Sequence, residues 1–260
     1  MKLSSKALAC GQSPMRKFHP YAVAAEAAGK KIYHLNIGQP DIHTPDALYD
    51  AIHNFRTPVL AYAASPGIPE LIGAIGRYYE NIGVQLDASD ILIDSVSKRF
   101  SACGARIGCL ISRNKDFMAN ALKYCQARLS VATLDQIAAA ALYSVGPEYF
   151  EQVRQEYKRR RDTVVRKLHE IPGVICECPR GAFYLMAALP VDDAEKFQLW
   201  LLQEFEDHGD TVMFSAGEPF YATPGKGLNE IRIAYVLKQE DLERAMDLLA
   251  LGIRKYNETH

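Results

Sequence analysis

With 260 residues, 48% of them hydrophobic and 23% charged, the chain is long enough to bury one large or two modest cores. Its 30 Lys and Arg nearly balance 31 Asp and Glu, for a net charge of -1, so no general field draws a polyanion to the surface. Nucleic acid and anionic membranes are therefore poor default partners, and no apolar run is long enough to span a bilayer.

At the N-terminus Lys2 is followed by Ser4, Ser5 and Lys6, which interrupt any apolar run before Cys10. That argues against a secretory leader and for a cytoplasmic location. Cysteines occur at Cys10, Cys103, Cys109, Cys125, Cys176 and Cys178, and only the last two are close. One intervening residue is not zinc spacing, so reduced, buried thiols are expected. Helix-like stretches over Asp46–Phe55 and Pro69–Ile82 flank a turn-rich connection around Ala61–Pro69, where proline and glycine favour an ordered loop. Ile91–Ile93 and Ile107–Ile111 are short apolar runs suited to buried strands. The run Ile137–Val145 is too short and too rich in Ala to cross a membrane.

From Pro147 to Ile171 the residues Phe150, Val153, Tyr157, Val164 and Leu168 recur at helical spacing, and Ile171-Pro-Gly173 stops the run. Its basic stretch Lys158-Arg-Arg-Arg161 has the composition of a phosphate or nucleic-acid patch, but it lies among Glu151, Glu156 and Asp162 and reads as a solvated helix face. A strand over Ala182–Leu189, a helix over Ala194–His208, strands over Thr211–Ser215 and Glu230–Val236, and a helix over Asp241–Tyr256 complete an α/β unit. His34, His43 and His53 lack spaced partners for a metal. Pro224-Gly-Lys-Gly227 lacks the Ser or Thr of a phosphate loop.

Chemistry concentrates in Asp94-Ser-Val-Ser-Lys-Arg-Phe-Ser-Ala-Cys-Gly-Ala-Arg-Ile-Gly108, where Lys98 is surrounded by hydroxyls and followed eight residues later by Arg106. An aldehyde cofactor with a phosphate tail needs such a set: an amine for a Schiff base, and hydroxyls and a guanidinium for the phosphate dianion. A surface lysine in a polar loop has the same composition. The rest of the chain separates the two readings.

That company consists of Leu35-Asn-Ile-Gly-Gln-Pro-Asp41, Tyr62-Ala-Ala-Ser-Pro-Gly-Ile-Pro-Glu-Leu71, the Lys98 segment, Pro179-Arg-Gly-Ala-Phe-Tyr184 and Asn229-Glu-Ile-Arg-Ile-Ala-Tyr235, in this order. Together they strongly resemble the class I aminotransferases, the aspartate aminotransferase-like branch in particular. The resemblance implies pyridoxal 5'-phosphate as cofactor, an amino acid and a 2-oxo acid as substrates, and a homodimer. It implies that Lys98 is the Schiff-base lysine and proton carrier, and that Ser95 and Arg106 bind the cofactor phosphate with help from Ser97. Tyr62 would reach the phosphate of the neighbouring subunit's cofactor. Arg232 would grip the substrate α-carboxylate with its flat fork of donors, and the backbone of Gly38 would lie against the same carboxylate.

The fold so implied is α/β, that of the fold type I pyridoxal-phosphate transferases, with a truncated large-domain sheet and a small C-terminal α/β domain. The expected division is an N-terminal segment (1–45) packing with the small domain, a reduced large domain (46–146) and the small domain itself (147–260). In the family the strand ending near Ile93 leads into a glycine-containing helix start and more than half of the large domain, whereas here it runs straight into Asp94. The absent stretch normally carries an aromatic ring stacked on the pyridine, an asparagine and a tyrosine at its hydroxyl, and an aspartate on its ring nitrogen. Asp94 does not match that aspartate. Two alternatives stand beside aminotransfer: an inactive remnant that binds or dimerises, and a lyase or decarboxylase of the same fold.

Overall fold

The computed structural model describes residues 17–56, 63–92, 97–127 and 130–259. In chain order the elements are α1 (His19–Ala27), β1 (Lys31–His34), α2 (Asp46–Asn54), α3 (Pro69–Asn81), β2 (Ile91–Leu92), β3 (Leu110–Ile111), α4 (Lys115–Ala127) and α5 (Thr133–Leu142). They continue with α6 (Pro147–His169), β4 (Ile175–Cys176), β5 (Tyr184–Ala188), α7 (Ala194–Gln203), β6 (Asp210–Met213), β7 (Ser215–Ala216), β8 (Glu230–Ala234) and α8 (Gln239–Thr259). The chain forms two compact units, one of residues 1–38 and 154–260 and the other of residues 39–153, with the division falling inside α6. No helix among the described residues is long and apolar enough to cross a membrane.

The first unit is built on an antiparallel sheet of order β4-β5-β8-β7 and a parallel pair of β1 with β6. Alternation along β5 and β8 turns Leu185, Ala187, Ile231 and Ile233 into the core, where they join Phe197, Leu201, Leu249 and Ile253 from α7 and α8. Leu35, just past β1, ties the pair to the larger sheet: its amide donates to the Met213 carbonyl (2.7 Å) and its carbonyl accepts from the Ala234 amide (2.8 Å). Asp193 caps α7 by accepting from the amides of Glu195 and Lys196, which satisfies donors that the first helical turn leaves open. The helix then ends at Gln203 rather than running on to His208, because the chain must turn into β6 through the Asp207–Asp210 bridge.

The second unit packs α3 and α5 around Leu71, Ile75, Phe100, Ile107, Ala138, Ala139 and Leu142. Its described sheet is small, a two-residue antiparallel pair in which Ile91 faces Ile111 and Leu92 faces Leu110. The apolar run Ile107–Ile111 thus yields strand only at its end, and its pairing with the earlier strand is antiparallel. Helix α4 and helix α5 have no counterpart in the sequence reading. Ile137–Val145 reads there only as a non-spanning apolar run, yet Ala138, Ala139 and Leu142 line this core.

Asp90, 4% exposed, directly precedes β2 and accepts from Lys115 and from the Asp87 amide, and these contacts hold its carboxyl below the usual carboxylate range. A lowered folded-state value means stability that is complete above the unfolded value of about 3.9 and is lost as pH falls through the folded value. Thermal midpoints recorded from neutral to strongly acidic pH should therefore fall less steeply for Lys115→Met than for the parent chain. Parallel curves would show that the pair contributes nothing.

Candidate active site

Lys98 lies in the turn between β2 and β3, in the second unit. Two neighbours anchor this turn. Phe100 is fully buried and meets Tyr143 edge to face at 5.3 Å, and the Arg99 guanidinium sits 4.4 Å from the centre of the Tyr78 ring. Lys98 itself is exposed, and its Nζ lies 3.5 Å from Cys103 Sγ. The Cys103 thiol donates to the Ser97 carbonyl (3.1 Å), while Arg106 Nη1 donates to the Cys103 carbonyl (3.0 Å). Arg106 adopts the left-handed conformation (φ 53°), which carries its guanidinium back over the turn it has just completed.

The turn thus brings Lys98, Ser97 and Arg106 around Cys103, a residue to which the sequence reading assigned no role. An exposed amine and an arginine on one short turn, with Ser97 beside them in the chain, are a donor set that suits an aldehyde carrying a phosphate. Ser95 and Tyr62 lie outside the described residues. The one buried carboxylate among the described residues is Asp90, already committed to Lys115.

In the first unit Arg232 occupies the middle of β8 on the sheet face turned away from the helical core, opposite Met186 on one side and Ser215 on the other. Its guanidinium carbon is 4.4 Å from the centre of the Tyr184 ring and 4.8 Å from that of Phe220, and Nη2 donates to the Asn36 carbonyl at 3.5 Å. A planar cation held between two rings keeps its donor edge oriented at little entropic cost. Gly38 is buried beside Tyr184: a β-carbon there would stand 1.7 Å from the tyrosine hydroxyl. Only glycine fits without displacing the ring. Tyr184 stands in a motif already singled out, whereas nothing local in the sequence points to Phe220.

Gly38→Ala should accordingly swing Tyr184 off Arg232, since the obstructing atoms are the far end of a side chain that can rotate. The loss is about 1 kcal/mol of cation–π contact. In a double-mutant cycle Tyr184→Ala should abolish most of the Gly38→Ala penalty in thermal unfolding, and additive penalties would show that the two residues are not coupled.

The family model described as aminotransferase class I and II matches residues 81–249. The aspartate aminotransferase of Bacillus subtilis is 26% identical over 183 residues, covering 66% of this chain and 43% of that protein. That of Musicola paradisiaca is 26% identical over 223 residues, covering 82% of this chain and 47% of that protein. The chain spans less than half the length of these curated relatives. Among solved structures, an alanine aminotransferase from Pyrococcus furiosus superposes with a TM-score of 0.85 at 18% identity, covering 98% of this chain and 100% of that one. At that identity the likeness establishes the fold, the α/β architecture of fold type I.

Proposed function

Because the chain belongs to the class I and II aminotransferase family, whose members use pyridoxal phosphate, we propose that it is a pyridoxal-phosphate-dependent protein descended from an enzyme that moves an amino group between an aspartate-like amino acid and a 2-oxo acid. The observation that carries this reading is the convergence of Lys98 and Arg106 on Cys103 within one turn. When bound, the cofactor supplies the electron sink for the substrate bond that is broken.

In this reading the Lys98 amine would anchor the cofactor covalently until substrate displaces it and, once free, would take the proton from the substrate α-carbon and deliver it to the far end of the 1,3-shift. Arg106 neutralises the phosphate, with Ser97 and Ser95 as further donors. Arg232 holds the α-carboxylate with its paired donors, and the backbone of Gly38 lies against the same group. Tyr62 reaches the phosphate in a second copy, so the working form is a homodimer. Residues 46–146 act as the reduced cofactor-binding domain. Residues 147–260, with 1–45, act as the substrate domain.

A long internal segment of the family pattern is missing between Ile93 and Asp94. The low coverage of the curated relatives supports this, and the join itself lies outside the described residues. The test of the reaction class is product analysis after incubation with cofactor, aspartate and 2-oxoglutarate. Glutamate and oxaloacetate are the expected products, however slowly formed. Carbon dioxide release or elimination products would replace this reading with a decarboxylase or lyase, and a protein that takes up no cofactor would be a remnant.

A further inference from the structure

The basic run Lys158–Arg161 on α6 does not behave as one solvated face. Arg160 is 4% exposed and is tied to Glu156 and to the Val236 carbonyl, and Arg159 shares the same Glu156. These contacts consume the acid that would otherwise neutralise its neighbours. A different cationic group assembles instead. Arg154, Lys158 and Arg161 recur at helical spacing along one stripe of α6, and Arg180 joins them from the turn before β5.

The four cations line a cleft of about 430 Å³ floored by Tyr157 and Tyr235, and no carboxylate is among its lining residues. The cleft has built walls. The Tyr235 hydroxyl donates to the Ala182 carbonyl (3.0 Å) and Arg161 Nη1 to the Pro179 carbonyl (3.2 Å), and these bonds hold the turn against the helix. Ala182 takes the left-handed conformation (φ 61°), which closes the turn over the cleft. Burial pushes the Tyr235 phenol up to about 12, so it adds no negative charge at neutral pH. Arg161 is turned partly aside by Asp162, which accepts from its Nε and Nη2. In a chain with a net charge of -1, the cleft is a local concentration of positive potential on a concave surface, where field lines focus.

We propose that this cleft between α6 and the Pro179–Ala182 turn is a binding site for a compact oxyanion of two or more negative charges, of the phosphate or pyrophosphate class. Its size admits a small ligand, and the guanidinium forks suit tetrahedral oxyanions bound through paired donors. The site shares no residue with the Lys98 turn.

Calorimetric titration of the full chain with inorganic pyrophosphate tests it, because that probe has no aldehyde and cannot report on Lys98. Saturable binding that weakens with added salt is expected, and Lys158→Gln combined with Arg180→Gln should lower affinity tenfold or more. Arg159→Gln, which removes a charge from the same helix outside the cleft, should leave binding unchanged. Lack of saturable binding at millimolar pyrophosphate would overturn the proposal, as would equal losses in the cleft and control variants. An oligonucleotide that binds where pyrophosphate does not would overturn it in favour of a nucleic-acid surface. Circular dichroism of each variant separates a lost site from a lost fold.

Discussion

Turnover of aspartate and 2-oxoglutarate by the purified, size-fractionated chain reconstituted with cofactor is expected to lie several orders of magnitude below the roughly 10 per second typical of enzymes. The reason is electrostatic. In the proposed reading the family pattern places a carboxylate on the ring nitrogen and hydrogen-bond donors at the phenolic oxygen, and those groups would belong to a stretch absent between Ile93 and Asp94. The one buried carboxylate among the described residues, Asp90, is already paired with Lys115 and bonded to the Asp87 amide. Losing one preorganised group of this kind costs ~3 kcal/mol of transition-state stabilisation. Several such losses, even when far from additive, remove most of a catalytic effect of about 8 to 23 kcal/mol. Such interactions act chiefly in the transition state, so binding should survive better than rate. A coupled assay returning turnover near 10 per second would mean that other residues supply the missing groups.

Addition of pyridoxal phosphate should nevertheless produce a visible absorbance band that borohydride fixes onto the peptide containing Lys98, and Lys98→Ala should abolish both band and label. The amine is exposed and stands beside the Cys103 thiol, whereas Lys115, for comparison, is held by the Asp90 carboxylate. Arg106→Gln should weaken cofactor affinity by about one to two orders of magnitude, the value of a hydrogen bond between charged groups of roughly 1.5 to 3 kcal/mol. Peptide mapping decides the matter. Label spread over surface lysines, or persisting in Lys98→Ala, would remove Lys98 from the cofactor site. The same measurement on Cys103→Ser separates the thiol's contribution: a hydroxyl keeps a polar contact to the amine, so the label should remain on Lys98.

These expectations rest on two kinds of information. Features set by short-range chemistry are legible in the chain itself. Lys98, Ser97 and Arg106 fall on one turn because few residues separate them, and Phe100 between them is apolar enough to pin that turn in the core. The helices that start at Pro69 and Pro147 are marked by proline at a position where no amide hydrogen bond is lost. Family motifs belong to the same class, since each is a local string.

Tertiary structure decided what depends on residues far apart in sequence. Leu35 bonds to both Met213 and Ala234, Arg232 lies between Tyr184 and Phe220, and Gly38 abuts the Tyr184 hydroxyl. None of these pairings follows from local periodicity, because strand register and long-range closure select them. The basic run of α6 makes the same point. Its four consecutive charges look equivalent along the chain, but the helical twist of about 100° per residue sends Arg160 inward to the Val236 carbonyl and leaves Lys158 beside Arg180. Sequence alone determined which groups are present and their local spacing, and the packing of distant segments decided which of them face one another.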